Sequence, residues 1–200
     1  IHCSDRQKWE PVLRLGHGGH RDTAMMPWDW PVWAVVIVAY VIIQRAGELV
    51  YAHANTRRLL AEGGTEHGAG HYPLFILLHG GWLIAILSLA RPAAAPDLLL
   101  LTGFLFSQAL RYWTLASIGR WWTTRIISAP HFPMIRRGPY RFMAHPNYTV
   151  VVMEIALLPL LLGAPLVALV FSLLNAALLW WRIGVEAAVL AEREAPNSST

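Results

Sequence analysis

Arg136-Arg137-Gly138-Pro139-Tyr140-Arg141-Phe142-Met143-Ala144-His145-Pro146-Asn147-Tyr148 is polar, basic and aromatic, and it stands between two runs of lipid-grade hydrophobicity. Membrane proteins keep such residues at bilayer depth only where protein buries them or where they line a wet site. The stretch therefore reads as the site-bearing loop of a membrane protein, suited to an anionic or polar small molecule.

Composition agrees. Of 200 residues, 56% are hydrophobic and only 14% are charged, which is too apolar for an ordinary soluble domain. Ten tryptophans favour membrane interfaces. Cys3 is the single cysteine, so neither an intrachain disulfide nor a Cys-rich metal site is available. The net charge of +4 is no sign of nucleic-acid binding, because the arginines sit in short loops beside apolar runs, where they set topology.

Outward from the quoted stretch, the hydrophobic runs predict an all-α polytopic membrane bundle of about five spans. The first helix covers about 31–60, with Trp28, Trp30 and Trp33 anchoring its start and Gly63-Gly64 ending it. The second is 72–90, stopped by Arg91-Pro92, and the third is 98–118, begun by Pro96-Asp97. The fourth and fifth, 147–162 and 166–181, are joined by Gly163-Ala164-Pro165, which allows only a tight helical hairpin. Residues 1–27 are polar and Gly/His-rich with no signal-peptide core, and read as a disordered extension; 195–200 read as a polar tail. His2, His17 and His20 fit no tight metal site, and none is expected elsewhere.

Five spans put the termini on opposite sides. Arg57, Arg58, Arg120, Arg125, Arg136, Arg137, Arg141, Arg182 and Arg193 gather on one side, against Arg91 on the other. The positive-inside rule predicts a cytoplasmic loop region at 119–145, a cytoplasmic carboxyl terminus and, for a bacterial chain, the inner membrane.

Three groups of residues carry candidate chemistry. Arg120, Trp121, Trp122 and Arg125 mix cations with aromatic faces; arginine clamps carboxylates, and aromatic faces attract a sulfonium or other cation. Pro146 suits a first helical position, and the N–H groups of that helix start can receive an anion. Arg182 and Glu186, four apart, share a helix face. Glu48, His79 and Glu154 lie in or beside spans, where polar side chains face the bundle interior. There is no G-x-G-x-x-G, H-E-x-x-H or G-x-S-x-G, so any cofactor must bind among helices and loops.

Gly138-Pro139-Tyr140-Arg141, His145-Pro146-Asn147-Tyr148 and Arg182-x-x-x-Glu186 resemble the isoprenylcysteine carboxyl methyltransferase family of integral membrane enzymes. Arg45-Ala46-Gly47-Glu48-Leu49, Asn55, Gly64-Thr65-Glu66, His71-Tyr72-Pro73, His79, Arg111-Tyr112-Trp113 and the 119–125 stretch are similar to a bacterial branch of it. That branch accompanies type III polyketide synthases and O-methylates alkylpyrones or alkylresorcinols. The resemblance spans about 30–190.

The resemblance implies S-adenosylmethionine as methyl donor, held by the half 119–194. Tyr140, His145, Pro146, Tyr148, Arg182 and Glu186 match its cofactor-binding positions; Ala187 stands where family members often carry a second acid. Arg120, Trp121, Trp122 and Arg125 would position substrate. Helices of 28–118 would face a lipophilic acceptor reached sideways from the bilayer, either a polyketide hydroxyl or an isoprenylcysteine carboxylate. A hydroxyl acceptor needs a base, for which Glu48, His79 and Glu154 are the unranked candidates. Membrane sterol-type reductases share the His-Pro-Asn-Tyr piece, so an NADPH-dependent reductase and a non-catalytic membrane scaffold stay as alternatives.

Overall fold

A computed structural model of the chain describes residues 29–194 apart from 69, 71, 130 and 134. The expected extension at 1–27, the tail at 195–200 and His2, His17, His20 and His71 lie outside the described residues. Five helices form the body: α1 (Val32–Ala61), α2 (Tyr72–Leu89), α3 (Leu98–Ile118), α4 (Pro146–Leu161) and α5 (Pro165–Glu194).

Local chemistry sets the helix ends. Asp97 caps α3 by accepting from the backbone of Leu99 at 2.9 Å and Leu100 at 3.0 Å. Pro146 opens α4, where its missing N–H is harmless. The α4–α5 connection turns on Gly163 at φ 71°, and a Cβ there would stand 2.4 Å from the Arg91 carbonyl oxygen. Only glycine fits both the left-handed backbone and that contact.

The helices pack around Val38, Val41, Trp82, Ile86, Phe104, Ile155 and Leu158. Trp82 satisfies its indole by donating to the Ile155 carbonyl at 3.3 Å. Outside this core the apolar rule inverts: Val36, Ile43, Leu99, Leu169 and Leu173 are exposed. A water-facing surface would not carry so many. Helices α1, α2 and α5 are long and apolar enough to cross a membrane. The α4 helix has 16 residues, fewer than a straight span needs, and α3 dilutes its hydrophobicity with buried Gln108 and Arg111.

The helix that holds the fifth apolar run continues past 181 as one rod to Glu194 and carries Arg182 and Glu186 on it, as their spacing requires. One feature departs from the sequence reading: the chain is not purely helical, since β1 (Thr65–His67) pairs antiparallel with β2 (Ile126–Ser128), matching Thr65 with Ser128 and His67 with Ile126. Three-residue strands are too short to announce themselves by alternation. The ribbon ties the segment after α1 to the segment after α3 at one end of the bundle, where the carboxyl ends of α1, α3 and α5 meet the amino ends of α2 and α4.

Candidate functional site

At that end two cavities lie side by side. The larger, about 290 Å³, is walled by residues of α1, α2 and α3, among them Arg45, Glu48, Phe75, Ile76, His79 and Arg111. The smaller, about 190 Å³, is walled by the α3–α4 segment and the α5 extension, including Trp121, Arg125, Tyr140, His145 and Glu186. Trp122, Thr123, Asn147, Tyr148 and Arg182 belong to both walls.

The smaller cavity is organised around Tyr148. Its hydroxyl donates to Glu186 Oε2 at 2.6 Å and accepts from Arg182 Nε at 2.8 Å. Arg182 Nη1 reaches the Thr124 carbonyl at 2.9 Å, tying α5 to the loop. The His145 ring stacks on Tyr148 with centroids 5.0 Å apart, and its Nδ1 lies 3.7 Å from Glu186 Oε2. Sequence spacing put Arg182 and Glu186 on one helix face; the fold makes Tyr148 the hydroxyl between them.

Tyr140 reaches this cavity through a 3-10 turn, Gly138–Arg141, pressed on the end of α3. Gly138 has φ 59°, and a Cβ there would fall 1.8 Å from Ser117 Oγ. Arg137 Nε donates to the Ser117 carbonyl at 2.7 Å and fixes the approach. Burial, then the Glu186 charge, pushes the Tyr140 hydroxyl up to about 12, so it stays a neutral donor.

The aromatic-basic stretch divides. Trp122 is buried between the cavities, with its carbonyl accepting from Asn55 at 2.9 Å. Arg125 lies over the Tyr72 ring at 4.6 Å and pairs with Glu66 at 2.8 Å. Trp121 lines the smaller cavity and packs on Phe132 with centroids 5.1 Å apart. Arg120 turns outward to Glu62 at 2.7 Å and lines neither cavity. Pro146 is buried at the α4 start and lines neither.

Behind the larger cavity runs a closed ionic cluster. Glu154 accepts from Arg111 through Nε at 2.6 Å and through Nη2, from Gln108 at 2.7 Å and from Arg45 at 3.1 Å. Glu48 accepts from Arg45 at 2.9 Å and Arg111 at 3.2 Å. Glu48 and His79 line the cavity; Glu154 stands behind it. Arg45 and Arg111 entered the sequence reading as motif residues without an assigned role, and Gln108 did not enter it. An arginine in an apolar run was the available signal for Arg111. Among the described residues no three His, Cys, Asp or Glu side chains are grouped to hold a metal.

Residues 98–192, which include every residue named around the smaller cavity, match the isoprenylcysteine carboxyl methyltransferase (ICMT) family. The uncharacterized protein YpbQ of Bacillus subtilis (strain 168) is 35% identical over 161 residues, covering 78% of this chain and 96% of that one. The chain belongs to the isoprenylcysteine carboxyl methyltransferase family. This is a family of S-adenosylmethionine-dependent methyltransferases, and membership with the apolar helices makes the chain an integral membrane protein. YpbQ is itself uncharacterized, so its likeness brings no acceptor. No solved structure matches the chain.

Proposed function

We propose that this ICMT-family protein is an O-methyltransferase whose smaller cavity holds S-adenosylmethionine and whose larger cavity holds a lipophilic acceptor. The observation that carries the reading is the shared wall: Trp122, Tyr148 and Arg182 border both spaces, so a donor in one and an acceptor in the other meet there. The smaller cavity suits the donor chemically. The Glu186 carboxylate accepts from hydroxyl or ammonium groups. The faces of Tyr148, His145 and Trp121 attract a sulfonium. Tyr140 adds a neutral hydroxyl. When bound, the donor supplies an electrophilic methyl group.

The chain's own work is positioning and exclusion of water. Arg182 orients the Tyr148 hydroxyl, and that hydroxyl orients Glu186. The larger cavity is walled by Leu49, Phe75, Ile76, Leu83 and Leu179, which suit a hydrocarbon tail. Leu49 and Ile76 are exposed on the apolar outer surface, which supports access from the bilayer side. The resemblance to the polyketide-associated branch favours an alkylpyrone or alkylresorcinol and a functional link to a type III polyketide synthase. The positive-inside rule favours a cytoplasmic site in a bacterial inner membrane. The reductase and scaffold readings gain nothing from the family match.

Purified protein in detergent is expected to bind S-adenosylhomocysteine by calorimetry and to transfer labelled methyl to a long-chain alkylresorcinol or alkylpyrone. Absence of S-adenosylhomocysteine binding would overturn the proposal.

A further inference from the structure

The charges around the larger cavity already cancel. Arg45 and Arg111 stand against Glu48 and Glu154, each carboxylate taking both guanidinium groups. Arg182 is engaged with Tyr148 and Thr124 and is balanced by Glu186 across the Tyr148 hydroxyl. Among the described residues lining the cavity no side-chain cation is left unspent for an incoming anion, and an unpaired charge in an apolar cavity is costly.

His79 differs from the acids. Its Nδ1 stands 2.8 Å from the Phe75 carbonyl oxygen. A carbonyl oxygen can only accept, so Nδ1 carries the proton, and in the neutral ring Nε2 carries the lone pair. His79 is half-buried on the cavity wall, and Nε2 has no hydrogen-bond partner among the described residues. Both glutamates, by contrast, have their oxygens committed to arginine.

We infer that His79 is the general base of the acceptor cavity, and that the acceptor is a lipid-tailed phenol or enol bound as the neutral hydroxyl rather than as a carboxylate. The inference rests on the methyltransferase reading above. The proton passes from the acceptor hydroxyl to His79 Nε2. The same oxygen forms the new C–O bond to the donor methyl as the methyl–sulfur bond breaks, its electron pair staying on sulfur. The imidazolium then returns its proton to water. The titratable and charged groups sharing the cavity with His79 are Arg45, Glu48, Tyr72, Arg111, Tyr148 and Arg182, with Glu154 behind them.

The test uses the full chain in lipid nanodiscs and three probes with one tail: an alkylresorcinol, its ring-fluorinated counterpart ionised at neutral pH, and an alkyl carboxylate. With S-adenosylhomocysteine bound, wild-type protein is expected to hold the alkylresorcinol on the order of tenfold more tightly than the carboxylate. His79→Asn keeps an N–H for Phe75 and deletes Nε2. It is expected to slow alkylresorcinol turnover by about 10²–10⁴-fold, to remove the rise of rate with pH, and to slow the fluorinated phenol far less. S-adenosylhomocysteine affinity should not change. Tighter binding of the carboxylate, or equal losses on both phenols, would overturn the inference; the binding comparison needs no variant. Failure of the wild type to bind S-adenosylhomocysteine would instead overturn the methyltransferase reading itself.

Discussion

The Tyr148 hydroxyl donates to Glu186 at 2.6 Å while accepting from Arg182 at 2.8 Å, so the start of α4 and the far end of α5 are joined through one oxygen. An ion pair of the i, i+4 kind has thereby become a relay with a tyrosine inside it. Its carboxylate is aimed at the smaller cavity instead of at water.

This geometry sets the first expectation. Glu186→Ala should weaken S-adenosylhomocysteine binding by about 1.5–3 kcal/mol, roughly 10- to 150-fold, the worth of a hydrogen bond to a charged group. The Glu186 side chain is 30% exposed, so the fold should lose less than about 1 kcal/mol. Calorimetric affinity beside the thermal midpoint separates the two; unchanged affinity would remove Glu186 from the donor site.

The ionic cluster behind the larger cavity predicts the opposite balance. The Arg111 side chain is 1% exposed and that of Glu154 is 6% exposed. Glu154→Ala leaves Arg45 and Arg111 sharing Glu48 alone, one buried cation in excess, and should cost about 3–5 kcal/mol of stability. Arg111→Met combined with Glu154→Leu leaves Arg45 and Glu48 paired, and should lose less than either single change. Unfolding midpoints in detergent decide it, and simple additivity of the two losses would refute the closed cluster.

Tyr140 gives a pH expectation. Its pKa rises from the ordinary 10.0 to about 12 in the fold, so the folded state keeps its proton where the unfolded chain releases it. The stability this contributes is fully present below pH 10 and is lost as pH rises toward 12. Wild-type protein should therefore lose stability across that window more steeply than Tyr140→Phe. Parallel pH curves for the two would show that Tyr140 ionises freely.

Gly138 is the point on which Tyr140 placement turns. Gly138→Ala should cost more than about 1 kcal/mol from the backbone alone, and the clash with Ser117 should add to it. Ser117→Gly in the same chain should recover the clash part and leave the backbone part. A double variant no better than the single would place the strain elsewhere.

Membrane orientation is testable without chemistry. A reporter fused after Glu194 should read cytoplasmic, because the arginine-rich connections lie at that end of the bundle. A readout from the opposite compartment would reverse the proposed sidedness.

Hydrophobic run length was enough to place Val32–Ala61, Tyr72–Leu89 and Leu98–Ile118 almost to the residue, because apolar length and Gly or Pro stops are local signals. The tight α4–α5 hairpin was legible for the same reason. Motif residues such as His145, Tyr148, Arg182 and Glu186 were also visible, since polar groups beside spans stand out against their neighbours. Only the tertiary structure decided how they divide. Trp122 and Arg120 are neighbours but one in chain, yet Trp122 is buried between two cavities and Arg120 faces outward to Glu62. Glu48, His79 and Glu154 looked equivalent as acids or bases near spans. The fold commits both glutamates to Arg45 and Arg111, from α1 and α3, and leaves His79 its lone pair. The pairings of Arg111 join residues 63 and 43 positions apart. Helix register and crossing, which no local pattern encodes, determine which side chains share a buried space, and that sharing sets where charge is cancelled and where it stays free to act.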